Sequence, residues 1–183
     1  MAMTDDEIAA YHEAAHAAVA YCSEWTQLAD DLVLLGRGHG DAAVKLNRSA
    51  LLDAIAADQD FDSDVAREQL IYAFLAGAAA ERELVARRLT TISEAEILKA
   101  ASRDYQLARE QLGKLEQAAP LVEYEQAVTD TIRNPVPWCV ISKLAEELIE
   151  RRTIPLTEVQ EVIDRIGNQC AAEHAVPGIE DYD

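Results

Sequence analysis

Residues 11–16 read Tyr11-His12-Glu13-Ala14-Ala15-His16, and their types and spacing suit metal-assisted hydrolysis. Two histidines four apart on a helix lie on one face, so both imidazoles can close on a single ion. Glu13, beside the first of them, is placed to take a proton from a water that the ion activates. Two ligands and a general base in so short a span form the H-E-x-x-H pattern of the zincins. A catalytic zinc also needs a third protein ligand and a position open to water. His39, in the glycine-rich stretch 36–40, and His174, near the end of the chain, are poorly placed for rigid ligation. Glu81 and Asp104 are better candidates. Each falls in a helical segment beside alanines that permit close packing, and each would be costly to bury without a metal or an ion-pair partner. Structural readings compete with these. Glu81 could pair with Arg82, Arg87 or Arg88 on its own helix, Asp104 with Arg103 or Lys99 in solvent, and the two histidines could be metal-free residues of an amphipathic helix.

The elements that would position these residues are mostly helical. Thr4-Asp5-Asp6-Glu7 has the form of a capping box and predicts a helix to about Ser23. Its apolar stripe is Ile8, Tyr11, Ala15, Val19 and Cys22, with His12 and His16 at the edge. Leu32 to Leu35, the glycine turn Gly36-Arg37-Gly38-His39-Gly40 and Ala42 to Leu46 predict a small hairpin, with no strand after it. Asn47 to Asp58 reads as a short helix using Leu51, Leu52 and Ile55, and 58–64 as an exposed acidic loop. A long helix follows from about Asp64 to Arg88, where Gly77 would let another helix approach closely. Ser93-Glu94-Ala95-Glu96 opens a helix that carries Asp104 and runs to Leu112. Leu121 to Arg133 and Trp138 to Arg152 flank a proline break, and Thr157-Glu158-Val159-Gln160 opens a last helix to about Ile166 or somewhat beyond. The fold class is therefore mainly α, a helical zincin-like domain with a small β-hairpin in the N-terminal third. We assign 1–170 to this domain and 171–183 to a loose acidic tail.

Composition sets the outer limits. A chain of 183 residues can bury a real core, and its wealth of alanine and leucine with few aromatics favours helix. The net charge of −18 argues against nucleic acid or an anionic membrane surface as partner. Cys22, Cys139 and Cys170 are odd in number and far apart, which predicts no disulfide framework and a reducing compartment. There is no basic segment followed by an apolar run at the start, and no apolar stretch approaching about 18 residues. The expected location is cytoplasmic, with no membrane span.

Four collinear blocks carry a family resemblance: Tyr11 to Ala17, Leu75-Ala76-Gly77-Ala78-Ala79-Ala80-Glu81, Ala101-Ser102-Arg103-Asp104 with Leu107-Ala108-Arg109, and Leu144 to Glu150. From about residue 8 to 166 the chain resembles the peptidase domain of the FtsH family of ATP-dependent zinc proteases. The resemblance implies Zn2+ held by His12, His16 and Asp104, Glu13 as general base, and Glu81 supporting the site from behind. It implies peptides or unfolded proteins as substrates, paired by backbone hydrogen bonds along an edge strand near Ala42 to Leu46. A separate ATPase and a ring-like oligomer are the partners it suggests. The chain departs from the family in carrying Ala15 where the motif has glycine and in a longer span between Glu81 and Asp104. It also has no G-x-x-x-x-G-K-[ST], so a peptidase domain without its ATPase or anchor is expected. The alternative is a catalytically silent module that binds peptides or partner subunits, which would have no need to keep Glu13.

Overall fold

The hydrophobic and capping signals fold into a helical body around one central helix. A computed structural model describes residues 3–56 and 63–175. The first helix, α1 (Asp5–Tyr21), starts at the Thr4 cap: the Thr4 N–H donates to Glu7 at 2.6 Å, and the Glu7 N–H donates back to Thr4 Oγ1 at 3.3 Å. Four short strands follow, β1 (Thr26–Leu28), β2 (Leu32–Leu34), β3 (Gly40–Asp41) and β4 (Val44–Leu46). Then come α2 (Arg48–Ala56), α3 (Ser63–Ala86), α4 (Glu94–Ala100), α5 (Ser102–Leu112), α6 (Leu121–Arg133) and α7 (Pro135–Arg151). A two-residue strand β5 (Thr153–Ile154) and α8 (Leu156–Glu173) complete the described chain.

α1 packs chiefly on α3 and α7, with the strands against it as well. Because it is covered on several sides, the buried residues go well beyond the predicted stripe. Ala9, Ala10, Ala14, Ala15, Ala17 and Ala20 are all buried, whereas Ile8, Tyr11 and Val19 are half-buried and Cys22 is exposed. His12 and His16 are therefore inside the packed face and not at its edge. Both helices bury runs of alanine, and Gly77 of α3 faces the His12 ring of α1, so small residues bring the two backbones close. Glu83, buried on α3, is held by Arg87 at 2.8 Å and by Arg133 of α6 at 3.1 Å.

The strands correct the sequence expectation in three ways. The hairpin exists, but β2 pairs with the short β3 (Leu34 opposite Gly40), while β4 turns away to pair with β1 (Leu28 opposite Val44). A later strand, β5, adds to the far edge of β2 with Leu32 opposite Ile154. Strands of two or three residues carry too little periodicity to be read from sequence.

Among the helices, the segment from Ser93 is not continuous. It breaks at Ala101, and Asp104 falls in the first turn of a new helix, α5. α7 starts at Pro135, earlier than predicted, because proline suits the first helical position. Leu52 and Ile55 of α2 face solvent, and Ala54 is the residue that α2 buries. α8 continues through Glu173, past the expected boundary at 170. The rest of the predicted tail, 176–183, and most of the acidic loop, 57–62, lie outside the described residues.

The cysteine expectation is also overturned. Cys139 and Cys170 form a disulfide, with Cα atoms 5.8 Å apart, and Cys22 is free. Spacing along the chain misled because α7 and α8 form a tight helical hairpin, which brings positions 31 apart in sequence side by side. The cysteine count thus no longer argues for a reducing compartment. Among the described residues, no helix is long and apolar enough to cross a membrane.

Candidate metal centre

His12 and His16 project from the middle of α1 toward α3 and α5. Their rings meet edge to face with centroids 4.7 Å apart, and both are buried. The His16 Nδ1–H donates to the backbone carbonyl of Ala73 on α3 at 2.7 Å. A carbonyl only accepts, so Nδ1 carries a proton and Nε2 is the atom turned toward Asp104. On His12, Nδ1–H donates to the buried Glu81 carboxylate at 2.6 Å, which likewise leaves Nε2 as the outward-facing atom. Glu81 thus turns its carboxylate to His12 across the α1–α3 interface and not to the arginines of its own helix.

Asp104 closes the third side. Its Oδ2 lies 3.3 Å from His12 Nε2 and 3.6 Å from His16 Nε2. Bonds of about 2.0–2.1 Å in a tetrahedral zinc site put neighbouring ligand atoms roughly 3.4 Å apart, so this spacing fits the ion. One ligand atom from each of the three residues lies within 4.8 Å of the others. The break at Ala101 is what aims this carboxylate inward, and the first turn of α5 adds the favourable end of a helix dipole.

Electrostatics point the same way. Burial opposes a charge on His12, but the carboxylates of Asp104 and Glu81 outweigh it and raise the imidazole to about 10. Burial would raise Asp104, yet its contacts with His12 and His16 hold it well below the usual carboxylate range. Two ring nitrogens and a carboxylate oxygen converge on one small volume, where a proton on His12 Nε2 can bridge to Asp104 at 3.3 Å and a metal ion would take that proton's place. The donor set and its backing fit zinc. Both imidazoles are oriented through Nδ1 by an acceptor behind them, as ligating histidines usually are.

Glu13 lies beside this set and is also buried. Burial raises its carboxyl above the usual range, with His12 and His16 pulling it down and Asp104 and Asp41 pushing it up. Its side chain packs on the backbone of Gly40 in β3, where any added Cβ would collide with Glu13 Cγ and Cδ. Gly77 of α3 plays the same part for His12, since a methyl there would fall inside the imidazole. Ala73, Gly77 and Gly40 were not singled out as site residues by sequence. A glycine in the middle of the long α3 helix was the available signal for Gly77.

A cleft of about 710 Å³ opens over the centre. Its floor is α1, one wall is the segment 37–44, and the other is formed by α4 and α5 with Phe74 of α3. His39 lines the mouth, exposed on the turn, and does not join the ligand group. His174 lies exposed at the end of α8. No protein-family model and no curated protein sequence matches the chain.

Proposed function

We propose that this chain is a zinc-dependent endopeptidase acting on peptides or unfolded proteins. The observation that carries the proposal is the convergence of His12, His16 and Asp104 within bonding reach of one ion, with the H-E-x-x-H carboxylate of Glu13 buried next to them in an open cleft. The resemblance to the FtsH peptidase domain supports the same reading from the order of its residue blocks. His12, His16 and Asp104 would hold the zinc ion, which when bound would supply Lewis-acid polarisation of a peptide carbonyl and acidify a water near neutral pH. Glu13 takes the proton from the attacking water and passes it to the leaving amine. Its burial raises its proton affinity, which favours its taking the proton. Glu81 and the Ala73 carbonyl hold the two imidazoles in the ligating tautomer. β3 and β4 each pair on one side only among the described residues, so the 40–46 segment can accept a substrate strand along its open side. Unfolding of stable substrates would fall to a separate ATPase.

The test compares wild type with Glu13→Gln and Asp104→Ala after loading with zinc. Glu13→Gln should keep one zinc per chain by elemental analysis and lose cleavage of an unstructured protein by about 10²-fold or more. Asp104→Ala should lose both. Full activity in Glu13→Gln would exclude the assigned base, and bound zinc with no turnover by wild type on any unfolded protein would favour the silent binding module.

A further inference from the structure

The two walls of the cleft differ in charge once the committed carboxylates are set aside. Asp104 and Glu81 are paired with the histidines, while Glu96, which accepts from the Ser93 N–H at 2.8 Å and the Ser93 hydroxyl at 2.7 Å, keeps its charge and partly offsets Lys99. Against Glu96 the α4–α5 wall sets two cations, Lys99 and Arg103, both exposed and neither in a salt bridge among the described residues, which leaves this stretch net positive. Arg103 is the neighbour of Asp104, so the cationic wall begins at the proposed metal. The apolar lining beside it comes from Phe74, Ile92 and Leu107. The opposite wall carries Asp41 with Arg37, and Asp5 lies nearby on α1.

We propose that this wall makes the cleft select a peptide segment in which a carboxylate accompanies an apolar side chain, the apolar group against Phe74, Ile92 and Leu107 and the carboxylate against Lys99 and Arg103. The inference rests on the peptide-hydrolase reading of the cleft. The overall charge of −18 does not prevent it. At physiological ionic strength charges beyond about 8 Å are screened, so an incoming carboxylate is governed by the charges on this wall, Lys99 and Arg103 against Glu96, and not by acids across the molecule. The carboxylate could be an acidic side chain or the C-terminus of the peptide. Two exposed cations favour such a ligand by only about five-fold, which is enough to order substrates.

Binding is measured on the zinc-loaded Glu13→Gln chain by fluorescence anisotropy. Labelled, C-terminally amidated peptides share one apolar residue flanked by Glu, Gln or Lys, and a fourth peptide carries Gln with a free C-terminus. The Glu peptide should bind about five-fold tighter than the Gln peptide, the Lys peptide more weakly than either, and Lys99→Glu with Arg103→Glu should invert the order. A gain in the fourth peptide would assign the site to a terminal carboxylate, and its absence to a side chain. Equal affinity for all peptides, no binding of any, or an order that survives the charge reversal would overturn the proposal. Should the reversed chain not fold by circular dichroism, the single variants Lys99→Gln and Arg103→Gln carry the test, each reducing the Glu preference. Wild-type cleavage separates the two readings. Charge-selective binding without cleavage removes the hydrolase and leaves the wall, whereas cleavage without charge preference removes the wall alone.

Discussion

His12 and Glu13 are adjacent on α1, and each rests on a glycine of a different element, His12 over Gly77 and Glu13 over Gly40. The two glycines should therefore separate metal binding from proton transfer. Gly77→Ala puts a methyl into the imidazole inside a packed interface, where overpacking costs typically about 1–3 kcal/mol. It should lower stability by chemical denaturation and lose zinc. Gly40→Ala pushes Glu13 instead, so zinc content should hold while cleavage falls, read by elemental analysis and a peptide assay on the same sample. A Gly40→Ala chain with undiminished cleavage would show that the carboxylate does not need this seat. At this scale the histidine pair and its glutamate were legible because helical spacing alone sets their geometry. Asp104 was not singled out by spacing, being one of two carboxylates until the family resemblance chose between them. Gly40 was read only as part of a turn, since its contact with Glu13 depends on β2–β3 register, which nothing local records.

Among the elements, the wall that carries Gly40 is tied to α1 by a clasp drawn from three parts of the chain. Arg152, the left-handed cap that ends α7 (φ 64°), donates from Nη1 to Asp6 Oδ2 at 3.0 Å, and the Gly38 N–H donates to Asp6 Oδ1 at 2.9 Å. The Arg152 carbonyl also accepts from the Leu34 N–H of β2 at 2.8 Å. The Gly38 N–H and then the Arg152 side chain hold the Asp6 carboxyl below its usual range. The pair is exposed, and pairs of that kind add little stability, so its effect should fall on placement. Asp6→Asn should leave zinc content and the melting temperature close to wild type while raising KM for peptides. A change in kcat alone would mean that the turn does not help seat the substrate. The long helices and two of the three expected capping boxes could be read beforehand, but the box expected at Thr157 does not form. Thr4 and Ser93 cap their helices reciprocally, whereas α8 starts at Leu156, with Pro155 in the cap position and no side-chain cap bond. The break at Ala101 carries no proline or glycine and was invisible in sequence, yet it is what turns Asp104 toward the histidines.

For the molecule as a whole, the last helix is held by a covalent and an ionic tie of different chemistry. The Cys139–Cys170 disulfide closes a loop of about 31 residues between α7 and α8, and cross-links of that span contribute about 3–4 kcal/mol by restricting the unfolded chain. Near it, Lys143 donates to Glu173 at 2.6 Å, and at the opposite end of the hairpin Glu147 accepts from Arg165 at 2.5 Å and from Arg151 at 3.1 Å. Burial would raise the Glu147 carboxyl, but the two arginines outweigh it and hold it below its usual range. A folded value below the unfolded one means that this tie is fully present above about pH 4.3 and is lost as the pH falls through the lower folded value. Reduction with a dithiol should lower the melting temperature at neutral pH by roughly 10 °C. Below pH 4.5 the reduced chain should then be the first to lose α8, because only the buried face of Val159, Val162 and Ile166 still holds that helix once the ionic tie is protonated. Glu147→Gln should flatten that acid limb in the reduced chain, and the remedy is specific to the carboxylate, since the neutral side chain no longer takes up a proton on unfolding. α7 bears on the site through Trp138, which stacks 5.6 Å from Tyr11, the residue before His12. Loosening α8 alone should therefore leave zinc in place until α7 itself moves. Calorimetry paired with zinc release across pH 3–7, in oxidised and reduced protein, measures both events, and a single coincident transition under every condition would show that the α7–α8 hairpin does not open ahead of the core.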